Sequence, residues 1–258
     1  MTAQLHRARA VTAARSIRLA SPEDPFRVLV ARPEDDFRIN TLRQTAYAKA
    51  GYFSIPDTSL LQRQRDPATA VCLIIANKKQ IAATVRLCLA THQSGAEKLL
   101  QGPAPLAGDH FPTLTLCRGA TSTDFRGLGL MTFLVGLGVA VADRAGLSSA
   151  TGMQAEGTPH FGTMLASGWQ SKDVPSAATE CVRMKTDAMK LVFISRARFG
   201  YSASYGQNEH GDLYKALQAV DAIEAAAQRI ARIHQGQKPL QRVESPPERP
   251  AHFDPHKP

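Results

Sequence analysis

Arg126-Gly127-Leu128-Gly129-Leu130 stands at the mouth of an apolar run that ends near Arg144, with two glycines where a helix should begin. Glycine costs a helix about 1 kcal/mol relative to alanine, so its placement here asks for a use. Glycines at a helix start let a ligand reach free amide hydrogens, and the helix dipole draws an anion to them. The competing use is close packing of the helix on its neighbours. Arg126, for which a packing motif has no need, favours the ligand. A dinucleotide fingerprint starting at Gly127 is excluded, because Thr132 stands at its third glycine. A P-loop is excluded by the absence of a Gly-Lys-Ser/Thr triplet, and a kinase loop by its missing partner motifs.

Two further arginines, Arg86 in TVRL and Arg118 in TLCRG, lie inside apolar runs, where an unpaired charge is costly. Each either pairs with an internal acid and holds the fold, or receives a carboxylate or the reacting end of a substrate; the residues alone weigh these evenly. Glu156 and His160 follow the next weak strand and could accept a proton, directly or through water; a surface cap or turn is the plainer use of both. Cys117 stands beside Arg118. No histidine flanks it to activate a thiol nucleophile, so a direct attack by the acceptor is favoured over a covalent step. The eight histidines show no metal-ligand spacing, and no metal is expected.

These residues need elements to position them. PFRVLVAR alternates as a strand, and PEDDFRINTLRQTAYAKAG reads as a helix with Pro33 and acids in its first turn and Gly51 as its C-terminal cap. DTSLLQRQRD is expected to form a second short helix. VCLIIAN and QIAATVRLCLA form a hairpin around Lys78-Lys79. Residues 91–112 read as an extended connection. TLTLCRGATS is a strand, followed by the glycine motif and a helix with Leu130, Leu134, Leu137 and Val141 on one face. That helix is apolar almost all round, hence buried. SSATGMQA, ECVRMK and MKLVFISRA read as strands and GTPHFGTMLASGW as a short helix, with Trp169 in the core. From Asp212 to Gln235, Leu213, Leu217, Val220, Ile223, Ala227 and Ile230 recur at helical spacing. The mixture points to one α/β (α+β) domain over residues 23–235.

In this order the elements and the glycine motif resemble the GNAT superfamily of N-acyltransferases over roughly Phe26 to Arg196. The resemblance implies a mixed, largely antiparallel sheet flanked by helices. It also implies that the loop grips the pyrophosphate of coenzyme A while the preceding strand holds the pantetheine arm. On that basis Gly119, Ala120, Thr121, Arg126, Gly127, Leu128, Gly129 and Leu130 are expected to bind the donor. Backbone amides from Cys117 to Ala120 would receive the oxyanion. The chain departs from the common pattern twice, with Met131 where the motif ends in Gly or Ala, and Met164 where a general-acid tyrosine often stands. Both departures suit the branch that takes acyl groups from acyl carrier protein: the N-acyl amino acid synthases and acyl-homoserine-lactone synthases. LRQTAYAKAGYF (Arg43, Tyr47), TVRL (Arg86) and LTLCRGA (Arg118) resemble that branch. Its Glu-x-Ser-Arg appears here as Thr115-Leu116-Cys117-Arg118, without the carboxylate. The branch implies catalytic roles around Arg118 and Cys117 and acceptor binding by Arg43 and Arg86, while Glu156 and His160 are catalytic candidates by their position after the weak strand.

Composition adds the partners. The formal net charge is +9 over 258 residues, so acidic partners are attracted. An acidic acyl carrier protein is expected, with acyl-CoA as the other possible donor and a small amine or amino acid as acceptor. The donor's phosphopantetheine thioester is a substrate, and no tightly bound cofactor is expected. Nucleic acid is disfavoured by the lack of stacking motifs and of a recognition helix. Cysteines 72, 88, 117 and 181 form no paired spacing, and a cytoplasmic location is expected. No apolar run reaches transmembrane length. Residues 1–22, with four arginines and no acid before residue 21, read as a disordered leader, and 236–258 as a proline-rich disordered tail. Two alternatives stay open: an acetyl-CoA-dependent acetyltransferase, and a degenerate member of the fold that binds a ligand without catalysis.

Overall fold

The computed structural model describes Leu19 and residues 23–50, 69–174 and 189–236. One seven-stranded sheet organises them, in the order β1-β2-β3-β4-β5-β7-β6. The strands are β1 (Arg27–Val30), β2 (Val71–Ala76), β3 (Ile81–Ala90), β4 (Thr113–Thr121), β5 (Ser149–Ala155), β6 (Gln170–Asp173) and β7 (Met189–Ser195). Neighbours run antiparallel except β4 and β5, which are parallel. The β2–β3 hairpin closes on Asn77, whose side-chain oxygen accepts from the backbone amides of Lys79 and Gln80. That Asx-type turn explains how Asn-Lys-Lys-Gln works without a glycine.

Strand alternation sorts the sheet into two faces. One carries Val71, Leu73, Ile75, Val85, Leu87, Leu114 and Leu116 into the main core, beneath α3 (Leu130–Arg144) and α6 (Ala219–His234). Leu130, Leu134, Leu137 and Val141 are all buried there, as expected of a helix apolar on every side. The other face carries Cys72 and Ile74 under α1 (Asp36–Lys49), and Ala90, Leu191 and Phe193 under α2 (Gln93–Leu100). Leu19, within the stretch expected to be a leader, is buried against the main core, and its carbonyl accepts from Phe26 N.

Two expectations need correction, and one strand was not expected. Residues 91–112 are not simply extended, because α2 forms at 93–100. Its start is capped by the His92 ring, which accepts from Gly95 N, and Ala96 is buried beneath it; a histidine cap is a signal that composition obscures. The helix expected over Asp212–Gln235 is two, α5 (Phe199–Ala216) and α6, broken at Gln218 with φ of 51°. Val220 therefore leaves the apolar stripe and is 59% exposed. Strand β6 escaped notice because QSKD is exposed along its whole length. The expected C-cap Gly51, the helix at DTSLLQRQRD, the strand ECVRMK and the tail beyond 236 lie outside the described residues.

Candidate active site

The site grows from one irregularity in the sheet. Strand β4 pairs with β5 from Thr113↔Ser149 to Leu116↔Gly152, and no further rung joins them. β5 goes on beside β7 to Ala155, and β4 goes on beside β3 to Thr121. The sheet therefore splits between two strands that continue, and the β4 edge facing the split has no strand partner among the described residues. Gly152 makes the root of the split tight, since a Cβ there would lie 2.9 Å from the Leu116 carbonyl oxygen.

At the same point β4 bulges. Thr84 pairs with Ala120 and Arg86 with Cys117, so Arg118 and Gly119 together oppose Val85. Arg118 takes a left-handed φ of 52°, which costs a non-glycine residue about 1–2 kcal/mol. A bulge of this kind breaks the ladder and re-aims side chains, and it is common beside active sites. Gly119 faces Met131, whose Sδ would be 2.8 Å from a Cβ at that position. Met131 thus covers the bulge where a smaller residue would leave room.

The far end of β4 leads to the glycine turn. Gly127 and Gly129 have φ of 78° and 74°, so both are needed to turn the chain into α3. A side chain at Gly127 would meet nothing within 4 Å. Close packing therefore does not account for Gly127, whereas Gly138, further along α3, does pack: a Cβ there would press 2.6 Å from Leu116 Cδ2. Gly129 is the N-cap and offers no side-chain acceptor, and the first intrahelical bond runs from Phe133 N to the Gly129 carbonyl. The amides of the first helical turn have no acceptor within the helix. Leu128 and Leu130 send their side chains into the main core. Arg126 is exposed, and its Nη2 donates to the Ala46 carbonyl at 3.1 Å, tying the loop to the last turn of α1.

On the α1 face a row crosses three strands: Cys72 on β2 is the register partner of Arg86 on β3, which partners Cys117 on β4. Arg86 Nε donates to Cys117 Sγ at 3.1 Å, and Arg43 Nη2 to Cys72 Sγ at 3.6 Å. Arg43 is wholly buried. The Cys117 thiol is pulled down to about 6 by the hydrogen bond with Cys88 and by the Arg86 and Arg118 guanidiniums, against the burial that opposes ionisation. Cys88 moves the other way, upward, because it holds the proton of that bond and is buried. Tyr47, four residues along α1 from Arg43, is pushed up to about 12, chiefly by burial. It remains a neutral phenol within range of Arg43, Cys117, Arg118 and Arg86.

The sequence named Arg43, Arg86, Cys117 and Arg118, and the fold brings them together. It gave no role to Tyr47, Cys72 or Cys88. Their i+4 and alternate-position spacings to those residues were the available signal. His160 lies elsewhere, at the start of α4 (Pro159–Ala166), where its Nδ1 is 3.2 Å from Thr132 Oγ1 in the first turn of α3. Burial holds it down at about 4, so the ring is neutral at pH 7. Glu156 is exposed and ion-paired with Lys190 at 3.1 Å. Met164 and Trp169 are core residues. Among the described residues no group of His, Cys, Asp or Glu is disposed to hold a metal ion. No described helix is long and apolar enough to cross a membrane.

A parallel pair that splits beside a bulged strand, with a glycine turn and helix start beyond it, is the architecture of the GNAT fold, and the chain has that fold. Solved structures that share it include the following two. FeeM, an N-acyl amino acid synthase from uncultured soil microbes, aligns with a TM-score of 0.50 over 72% of this chain and 98% of its own, at 11% identity. BjaI, a CoA-dependent acyl-homoserine lactone synthase in complex with SAM and isopentyl-CoA, aligns with a TM-score of 0.53 over 79% and 99%, at 14% identity. No protein-family model and no curated protein matches the sequence.

Proposed function

We propose that the protein is an N-acyltransferase that moves an acyl group from a phosphopantetheine thioester to the amine of a small acceptor such as an amino acid. The observation that carries this reading is the split between β4 and β5, bulged at Arg118-Gly119 and ending at the uncapped start of α3. An extended pantetheine arm fits such a gap as an extra strand, bonding to the free edge at Gly119, Ala120 and Thr121. Its phosphate end would reach the amides after Gly127 and Gly129. The acyl carbonyl would then lie at the bulge, where amides outside the ladder can receive the oxyanion.

Arg118, half-buried at the bulge, is the guanidinium suited to an acceptor carboxylate, with a bidentate fork. Arg43 projects from the buried face of α1 onto Cys72 and supports the row rather than meeting a substrate directly. His160 stays neutral beside the donor helix and helps to fix Thr132 there. Glu156, exposed and ion-paired, is the weakest of the proton-accepting candidates. FeeM is an N-acyl amino acid synthase and BjaI a CoA-dependent acyl-homoserine lactone synthase, and both descriptions name an acylated product.

For the donor we favour an acidic acyl carrier protein, because the chain is strongly basic and Met131 narrows the bulge. The test is purified protein with octanoyl-carrier protein, octanoyl-CoA or acetyl-CoA and a pool of amino acids, with products read by mass spectrometry. N-octanoyl product from the carrier, falling as salt rises, is the expected result. Efficient acetyl transfer from acetyl-CoA would favour the ordinary acetyltransferase instead. No acylated amine from any donor would leave a binding protein.

A further inference from the structure

We propose that Cys117 accepts the acyl group first, so that transfer passes through an acyl-thioester on Cys117 Sγ. The inference rests on the acyl-transfer reading above and supplies its route. Direct transfer was preferred on sequence because no histidine flanks Cys117, but the fold activates this thiol in another way.

Three placements support it. Leu116↔Gly152 is the last rung between β4 and β5, so Cys117 is the first β4 residue beyond it. Residues 113–116 are buried and Cys117 is half-buried, where the strand emerges at the split and immediately before the bulge. Its sulfur accepts from Arg86 Nε at 3.1 Å, and a guanidinium never gives up its charge in this range. Cys88, two residues beyond Arg86 on the same face of β3, is the diagonal neighbour of Cys117 across the β3–β4 ladder. The Arg86 and Arg118 guanidiniums favour the thiolate of Cys117, while burial favours the protonated thiol of Cys88. The other member of the row differs, since Cys72 is buried and its sulfur meets Arg43.

The chemistry balances without a further reagent. The Cys117 thiolate attacks the donor carbonyl, a new carbon–sulfur bond forms, and the bond to pantetheine breaks. Pantetheine leaves as a thiolate and takes a proton from water. The neutral amine then attacks the acyl-Cys117 carbonyl, and Sγ departs as the thiolate that Arg86 holds. The surplus amine proton passes to water. A thiol of low pKa leaves readily, so the intermediate turns over rather than accumulating.

The experiment uses the full chain with octanoyl-pantetheine and isotope-labelled free pantetheine, first without amine to read exchange and then with the amino-acid pool to read amide. A thiol acyl-enzyme exchanges label into octanoyl-pantetheine, whereas direct transfer to an amine does not. The expected result is exchange in the wild type and its loss, to the rate without protein, in Cys117→Ser and Cys117→Ala. Acid quench and peptide mapping of the wild type should place octanoate on Cys117, which decides the matter if both variants misfold. Amide formation without exchange or adduct, or at wild-type rate in either variant, overturns the covalent route and leaves the acyltransferase reading intact. Exchange without amide from any amine keeps Cys117 as acyl acceptor and removes the amine-acceptor reading. Neither exchange nor amide overturns both.

Discussion

Gly152 faces Leu116 on the last rung between β4 and β5, and the two backbones meet so closely that a Cβ on Gly152 would lie 2.9 Å from the Leu116 carbonyl oxygen. The obstacle is backbone and cannot swing aside. Gly152→Ala should widen the root of the split and cost about 1–3 kcal/mol, as overpacking does. Thermal melting and acyl transfer should both fall. Unchanged values would show that the strands part more freely than the register implies.

Arg118 pays for its place with a left-handed backbone. Arg118→Ala and Arg118→Gly remove the same side chain, so both should lose acyl transfer. The glycine variant should be the more stable of the two by about 1 kcal/mol, because only glycine adopts that φ without strain. Urea midpoints compared at constant slope test this. Equal stability would mean that the bulge relaxes once the arginine is gone.

The Cys117 thiol should remain reactive in mild acid. With its value down near 6, the thiolate fraction is largely complete at pH 7 and is lost only as pH falls through 6. Iodoacetamide alkylation of Cys117, followed by peptide mapping, should show a midpoint near 6. Arg86→Gln should move that midpoint upward by removing the positive partner. A midpoint at the ordinary cysteine value in the wild type would contradict the Arg86–Cys117 geometry.

His160 gives stability a dependence on pH. Its folded value, about 4, lies below the unfolded histidine value, so between the two the unfolded chain binds the extra proton. Stability is therefore complete above the unfolded value and falls as pH drops toward 4. Denaturation midpoints of His160→Gln should lack this component of the acid slope. The same slope in both proteins would assign it to other groups.

Arg126 joins the glycine loop to the end of α1 through Ala46. Arg126→Ala should cost about 0.5–1.5 kcal/mol, the net worth of one such hydrogen bond, and should weaken the donor as the loop loosens. A donor KM that rises with kcat nearly constant is the expected kinetic signature. Arg126→Ala is a cleaner probe of this loop than Gly129→Val, in which a φ of 74° would strain the valine before any donor arrived.

Local chemistry made much of this protein legible from its residues. Short β-rich apolar runs specified the β2–β3 hairpin and strands β4 and β7, and the all-round apolarity of 130–144 marked a buried helix. The positions of Arg86, Cys117 and Arg118 were readable because charges and a thiol in apolar runs need a use, whereas Arg43 was named only through the family resemblance. What the residues alone could not show were relations between strands. The bulge at Arg118-Gly119 is a mismatch in the count of residues between β3 and β4, and neither strand contains it alone. Likewise the split exists because β5 follows β7 beyond Gly152. The thiol's activation belongs to the same class: Cys117 is separated from Arg86 by 31 residues in the chain and by 3.1 Å in the fold. Hydrogen bonds and charges act through space, so only the register of β3 against β4 could decide whether Cys117 was a packed thiol or a poised one.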